Sequence, residues 1–311
     1  MPKPKPIDPL NQPIGQVFQF EQKIVRKLII SLLIAISAYT VLKLLPANAK
    51  ENIPFYAAER SINIAHRNGH ALMPANTVEA GLYALQVGAD ILEIDVHLTA
   101  DKQLVVRHDE IIDTTTDGVG RISEMTLAEI ANYTAKFHEI EYPSRLSPAH
   151  IKIPSLTALF ERIPNARFLI EIKPQNNDAS IRLCQVVRQY NMADQVLVGS
   201  FHTSVLRHFR RICPEVPTSH GKSEIRHFFI FTKLGLGHLY NPQGYSMQLP
   251  ISYQGTEIFS YQILQAAHNL NLQVEIWTVN DIDTFEKLIA MGVDGIITDR
   301  PDLLRESISL K

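Results

Sequence analysis

Cysteine is nearly absent from this chain: Cys184 and Cys213 are its only two. Two are too few for a disulfide framework, and with no C-x-x-C pair and no Cys/His cluster nothing points to zinc. We expect two buried thiols, with a single disulfide as the alternative. A dominant charge is lacking too. Against 32 Asp and Glu stand 30 Lys and Arg, scattered along the chain, for a formal net charge of -2. Without a basic stripe, nucleic acid is not an expected partner. Apolar side chains are plentiful, 45% of 311 residues. The part beyond the N-terminal segment, about 260 residues, has the usual size of one α/β barrel.

Long hydrophobic runs are also lacking, with one exception. Residues 1–27 are polar and dotted with Pro2, Pro4, Pro6, Pro9 and Pro13, and read as a disordered cytoplasmic head. The run Leu28 to Leu45 follows, with Lys43 as its one charge. We expect a transmembrane helix or uncleaved signal anchor over 28–46, a buried core helix being the alternative. Lys3, Lys5, Lys23, Arg26 and Lys27 precede the run, so the positive-inside rule leaves the N-terminus cytoplasmic and the domain that follows the run on the extracytoplasmic side. Pro46-Ala47-Asn48-Ala49 offers an A-x-A cleavage site, whose use would give a secreted or periplasmic protein.

From residue 60 to about 306 short β-rich runs alternate with helical patterns, the signature of a parallel sheet wrapped by helices. Candidate strands are Ile62 to Ala65, Ile91 to His97, Gln103 to Arg107, Phe168 to Ile172, Val196 to Ser200, Val216 to His220, Tyr245 to Leu249, Val274 to Val279 and Gly295 to Thr298. Only five residues separate the second from the third, too few for a parallel crossover, so that pair is a hairpin and eight strands remain for a barrel. Asn76 is placed to cap one helix, with Glu79 at N3, and Asp281 another that stops at Gly292.

Strand parity points to chemistry. In Ile91-Leu92-Glu93-Ile94-Asp95-Val96 the aliphatic residues share one face and Glu93 and Asp95 the other; in the fourth strand Glu171 and Lys173 lie opposite Phe168, Ile170 and Ile172. If the aliphatic faces meet the helices, three carboxylates point into the barrel, where they repel one another at several kcal/mol each unless compensated. A bound cation resolves this, and oxygen ligands suit Mg2+ or Ca2+. A salt-bridge network with Lys173 and Arg67 is the alternative. His66 ends the first strand and His108 the hairpin return, at the strand ends where barrel enzymes build their sites, so we read them as paired acid and base. Arg67 and Lys173 supply positive charge for phosphate oxygens. His70, His97 and His138 are left as structural or exposed.

His66-Arg67, Pro74-Ala75-Asn76-Thr77, Glu93-Ile94-Asp95-Val96, His108-Asp109, Glu171-Ile172-Lys173, Trp277-Thr278-Val279-Asn280 and Gly292 to Pro301 occur in order, and this series resembles the signatures of the glycerophosphodiester phosphodiesterase family. The resemblance covers residues 61 to about 304. It implies a (β/α)8 TIM-type barrel with a small insertion at about 110–155 after the second strand and hairpin. It also implies metal ligands at Glu93, Asp95 and Glu171, His66 and His108 as general acid and base, phosphate contacts from Arg67 and Lys173, and Trp277 as a pocket wall. The implied reaction is metal-dependent hydrolysis of a glycerophosphodiester to glycerol phosphate and an alcohol. Two departures stand out: Asn68 and Ala75 replace the glycine and glutamate usual in that family. Asn68 tolerates a left-handed turn, whereas Ala75 removes a carboxylate near Arg67.

The apolar stretch His227 to Gly237 is either a barrel helix or a greasy wall of the active-site mouth. The second reading suits a lysophospholipid, as in members resembling lysophospholipase D, in competition with a soluble deacylated diester. A non-catalytic phosphodiester- or lipid-binding barrel is a third possibility, disfavoured by two proton carriers.

Overall fold

In a computed structural model, residues 14–56, 61–138 and 140–309 are described. They fall into two units, residues 1–46 and 47–311. The first is a single helix, α1 (Ile14–Lys43). Its Gln22–Lys43 portion, 22 residues at mean hydropathy 1.9, is long and apolar enough to cross a membrane. Residues 14–27, expected in a disordered head, are therefore helical. The prolines of the head end at Pro13, and beyond it nothing stops the helix of the apolar run from propagating toward the N-terminus. The remainder of the head, residues 1–13, lies outside the described residues.

The second unit alternates strands with helices. Its strands are β1 (Ile62–Ala65), β2 (Ile91–Leu98), β3 (Leu104–Val106), β4 (Phe168–Ile172), β5 (Val196–Gly199), β6 (Ser246–Pro250), the hairpin β7 (Ser252–Tyr253) and β8 (Thr256–Glu257), β9 (Gln273–Trp277) and β10 (Gly295–Thr298). Around them run α2 (Val78–Gln86), α3 (Leu127–Ile130), α4 (Leu156–Arg162), α5 (Asn177–Gln189), α6 (Thr203–Ile212), α7 (Lys222–Lys233), α8 (Tyr261–His268), α9 (Ile282–Met291) and α10 (Pro301–Ser309). Seven strands are parallel in the order β5-β4-β2-β1-β10-β9-β6, and β3 returns antiparallel on β2 as the short connection requires. This is a TIM-barrel-like α/β fold.

The strand expected at Val216 to His220 shrinks to Thr218 and Ser219, which bridge Val198 of β5 and Ser246 of β6. Pro217 has no N–H to give to a ladder and contributes only its carbonyl, to Val198 N–H. The two ends of the sheet are joined through this bridge.

Parity sorts the side chains. Leu92, Ile94, Val96, Phe168, Ile170 and Ile172 pack outward in one core with the helices. Ile62, Ile64, Ile91, Leu169, Leu197 and Ile297 turn inward and form an apolar floor with Phe55. The chain reaches that floor from residue 47: Asn48 N–H donates to His238 O, Lys50 N–H to Leu270 O, and the Tyr56 hydroxyl to Glu275 Oε1 at 2.6 Å. Between Arg107 and Ser155 the chain builds a small core of its own from Ile112, Ile122, Ile130, Ala135, Ile151 and Ile153 with Val105.

The cysteines correct the expectation of two thiols. Cys184 of α5 and Cys213, just after α6, form a disulfide with Cα atoms 5.8 Å apart. The two helices flank β5 as neighbours, and the 29-residue spacing alone does not reveal that. The helix cap is a second correction. Thr77 caps α2 by accepting from Ala80 N–H, while Asn76 sits at φ 61 and points elsewhere. Asp281 caps α9 and Gly292, at φ 85, ends it, as the sequence predicts.

Candidate active site

β2 and β4 run in register, Glu93 beside Leu169 and Asp95 beside Glu171, which brings three carboxylates together above the floor. Ligand oxygens of Glu93, Asp95 and Glu171 lie within 4.8 Å of one another. Burial and the charge of Asp95 push Glu93 up to about 7 and Glu171 up to about 8. Asp95 takes the ionised role. Burial opposes its charge, but Lys173, His108 and Arg67 nearby and the amide of Asn76 hold its carboxyl well below the usual range. Lys173 Nζ lies 3.3 Å from Asp95 Oδ1 and 3.2 Å from Glu171 Oε2. Burial lowers the affinity of this amine for its proton, but Asp95 and Glu171 outweigh it and raise Lys173. Lys173 and Arg67 together do not balance three carboxylates, so the donor set fits a hard divalent cation.

The turn after β1 carries His66 and Arg67. Arg67 is at φ 49, Asn68 at φ 66 and Gly69 at φ 87, a left-handed run that Asn68 and Gly69 accept readily and Arg67 does not. The Arg67 N–H donates to Glu93 Oε2 at 2.8 Å, which ties the strained residue to the carboxylate cluster. Its side chain is less constrained: Nε is buried without a hydrogen-bond partner, 3.9 Å from Asp95 Oδ2. Ala75, where a carboxylate is missing, is buried and offers its carbonyl to Arg107.

Each histidine at the site is oriented from behind. His66 Nδ1 lies 2.7 Å from Asp299 Oδ1, and Asn280 Nδ2 donates to Asp299 Oδ2 at 2.7 Å. Burial pushes His66 down, but the hydrogen bond to Asp299 and the charge of Glu93 outweigh it and raise its pKa. His108 Nδ1 lies 2.8 Å from Asp109 Oδ1, and that hydrogen bond draws Asp109 down to about 2. His97, left as structural or exposed by the sequence, is buried and its Nε2 meets the backbone carbonyl of His108 at 2.9 Å. His70 is buried too, and burial drives it down to about 3.

All eight residues singled out from the sequence line one cavity of about 520 Å3: His66, Arg67, Glu93, Asp95, His108, Glu171, Lys173 and Trp277. Trp277 packs edge-on against Phe201, ring centroids 5.9 Å apart. The apolar stretch from His227 belongs largely to α7, so it is a helix; Phe228 is core, whereas Phe229 reaches the cavity. Sequence reasoning read Asn76 only as a helix cap and gave it no place in the site, where its amide donates to Asp95 Oδ2 at 3.0 Å, and it assigned no role to Asp299. Asp299 follows the C-terminal end of β10, the kind of position that marked the two histidines.

The sequence profile described as the glycerophosphoryl diester phosphodiesterase family matches residues 66–303. The chain belongs to that family. A glycerophosphodiester phosphodiesterase of Caldanaerobacter subterraneus is 30% identical over 257 residues, covering 79% of this chain and 96% of the relative. Human lysophospholipase D GDPD1 is 26% identical, covering 79% of this chain and 85% of its own. Among solved structures of the family, a glycerophosphodiester phosphodiesterase from Agrobacterium tumefaciens superposes with a TM-score of 0.64 at 25% identity, over 80% of this chain and 99% of that one. An Oleispira antarctica phosphodiesterase solved with sn-glycerol-3-phosphate shares the fold, with a TM-score of 0.68 at 23% identity, over 83% of this chain and 100% of that one.

Proposed function

We propose that this chain hydrolyses a glycerophosphodiester to glycerol phosphate and an alcohol. The observation that carries the reading is one cavity in which two oriented histidines and two cationic side chains surround three crowded carboxylates. Glu93, Asp95 and Glu171 would hold a divalent cation, Mg2+ or Ca2+, which when bound supplies Lewis-acid polarisation of the phosphate. Arg67, with its unpartnered Nε, and Lys173 bind the non-bridging oxygens and share the charge that develops on them. One histidine takes a proton from the nucleophile and the other returns one to the departing alkoxide. Trp277 and Phe201 wall the cavity.

The test is release of choline or ethanolamine from glycerophosphocholine and glycerophosphoethanolamine, with Mg2+ and with Ca2+. His66→Ala and His108→Ala should each lose on the order of 100-fold in turnover; full activity in either removes the assignment. A second reading, lysophospholipase D-type cleavage of a lysophospholipid, is favoured by the apolar surface of Ile225, Phe229, Tyr253 and Ile258 on the same cavity. Lysophosphatidylcholine in the same assay separates the two.

We further read α1 as a single-pass anchor with the N-terminus cytoplasmic and the catalytic domain, residues 60–306 with its insertion at 110–155, on the extracytoplasmic side. Secretion after cleavage at Ala49 is the alternative. The Cys184–Cys213 disulfide supports an oxidising compartment under either. The mass of the native protein distinguishes them.

A further inference from the structure

The cavity continues past the reacting groups to α7. That helix turns Lys222, Ile225, Arg226 and Phe229 toward it, the i, i+3, i+4, i+7 spacing of one helical stripe. Two of the four are cations, both exposed, and neither is ion-paired among the described residues. Lys222 Nζ instead lies over the Tyr253 ring, 5.4 Å from its centroid. The carboxylates lining the cavity are Glu93, Asp95 and Glu171, all in the cluster on β2 and β4. The α7 wall therefore brings positive charge to the cavity, and among the described residues no carboxylate of that helix lines it.

We propose that the α7 stripe is the subsite for the leaving alcohol and selects alcohols that bear their own negative charge, such as a phosphorylated polyol. The inference rests on the phosphodiesterase reading above. In that reaction the P–O bond to the alcohol breaks, the hydroxide of water goes to phosphorus, and the remaining proton ends on the alcohol oxygen. The subsite takes no part in these bond changes; it holds the departing group. A quaternary ammonium headgroup would find aromatic surface here, but it would face two like charges, and the Tyr253 ring already faces Lys222. Exposed charge contacts are each worth about 1.5- to 5-fold, so two give roughly 2- to 30-fold in selectivity, eroded by salt.

The experiment compares kcat/KM of the solubilised full chain for glycerophosphoinositol and glycerophosphoinositol 4-phosphate, which differ by one phosphate monoester, with glycerophosphocholine as a third substrate. At low ionic strength the phosphorylated diester should be preferred by about 10-fold, and the preference should shrink in about 0.5 M salt. Lys222→Gln with Arg226→Gln should bring the ratio toward unity, and Arg226→Glu alone should reverse it. Equal rates on the inositol pair, preference for the choline diester, or a ratio indifferent to both variants would overturn the subsite. If glycerophosphoinositol is hydrolysed without preference, only this inference falls; if no diester is hydrolysed, the phosphodiesterase reading falls and takes it along.

Discussion

His66 Nδ1 lies 2.7 Å from Asp299 Oδ1, and Asn280 holds Asp299 at two points, its amide donating to Oδ2 and its side-chain oxygen accepting from the Asp299 backbone N–H. The Nδ1 proton is thereby assigned to the Asp299 side, which leaves Nε2 as the nitrogen that would exchange protons with a substrate under the proposed mechanism. Asp299 contacts the His66 ring and not the carboxylate cluster, so in the proposed mechanism it would act as a positioning residue. Asp299→Asn should lower kcat on the order of 10- to 100-fold with little change in KM, because it misorients the proton carrier and leaves the phosphate contacts alone. A change confined to KM would contradict this.

Asn76 acts on Asp95 in the same way. Its amide donates to Asp95 Oδ2 and its carbonyl accepts from the Asp95 N–H at 3.3 Å. Asn76→Ala should weaken divalent cation binding by about 10- to 100-fold, read by calorimetric titration. Since Thr77 caps α2, the far-ultraviolet spectrum should not change.

The disulfide joins α5 to the end of α6 across a 29-residue separation. Replacing both Cys184 and Cys213 by serine should cost about 2–4 kcal/mol of stability, largely through the greater freedom of the unfolded chain. Thermal melts with and without reductant should reproduce the difference in the native protein, and equal melts would remove the disulfide's stabilising role.

His268 gives stability a pH dependence away from the catalytic cavity. Its Nε2 lies 2.8 Å from Asp294 Oδ2, and this hydrogen bond raises its pKa against partial burial. A raised histidine contributes stability that is fully present below its ordinary pKa of about 6.5 and fades as pH rises through the higher folded value. His268→Ala should therefore lower Tm more at about pH 5.5 than at about pH 9. An equal deficit at both would mean that packing, not charge, is lost.

Much of the carboxylate cluster was legible in the sequence because strand parity is a period of two: once Ile94 and Val96 face the helices, Glu93 and Asp95 face inward. The groups that hold the cluster were harder to read. Asn76 and Thr77 are both good helix caps, and only the backbone angle of 61° at Asn76 frees its amide for Asp95. His97 alternates onto the inner face with Asp95, but its hydrogen bond to the His108 carbonyl depends on the hairpin register of β2 and β3. The cysteine pair depends on helix neighbours, which no local pattern encodes.

The floor of the barrel also decides where the domain begins. The alternating pattern starts near residue 60, but Phe55 is buried under the sheet and the Tyr56 hydroxyl holds Glu275, a carboxyl pushed by burial up to about 7. A fragment cut at residue 60 for expression would be missing its plug: water would enter beneath the carboxylate cluster, and Glu275 would lose the Tyr56 hydroxyl while keeping the Gln248 amide. Asn48 and Lys50 are already bound to the domain, so the first residue worth keeping in a soluble fragment is near Ala47.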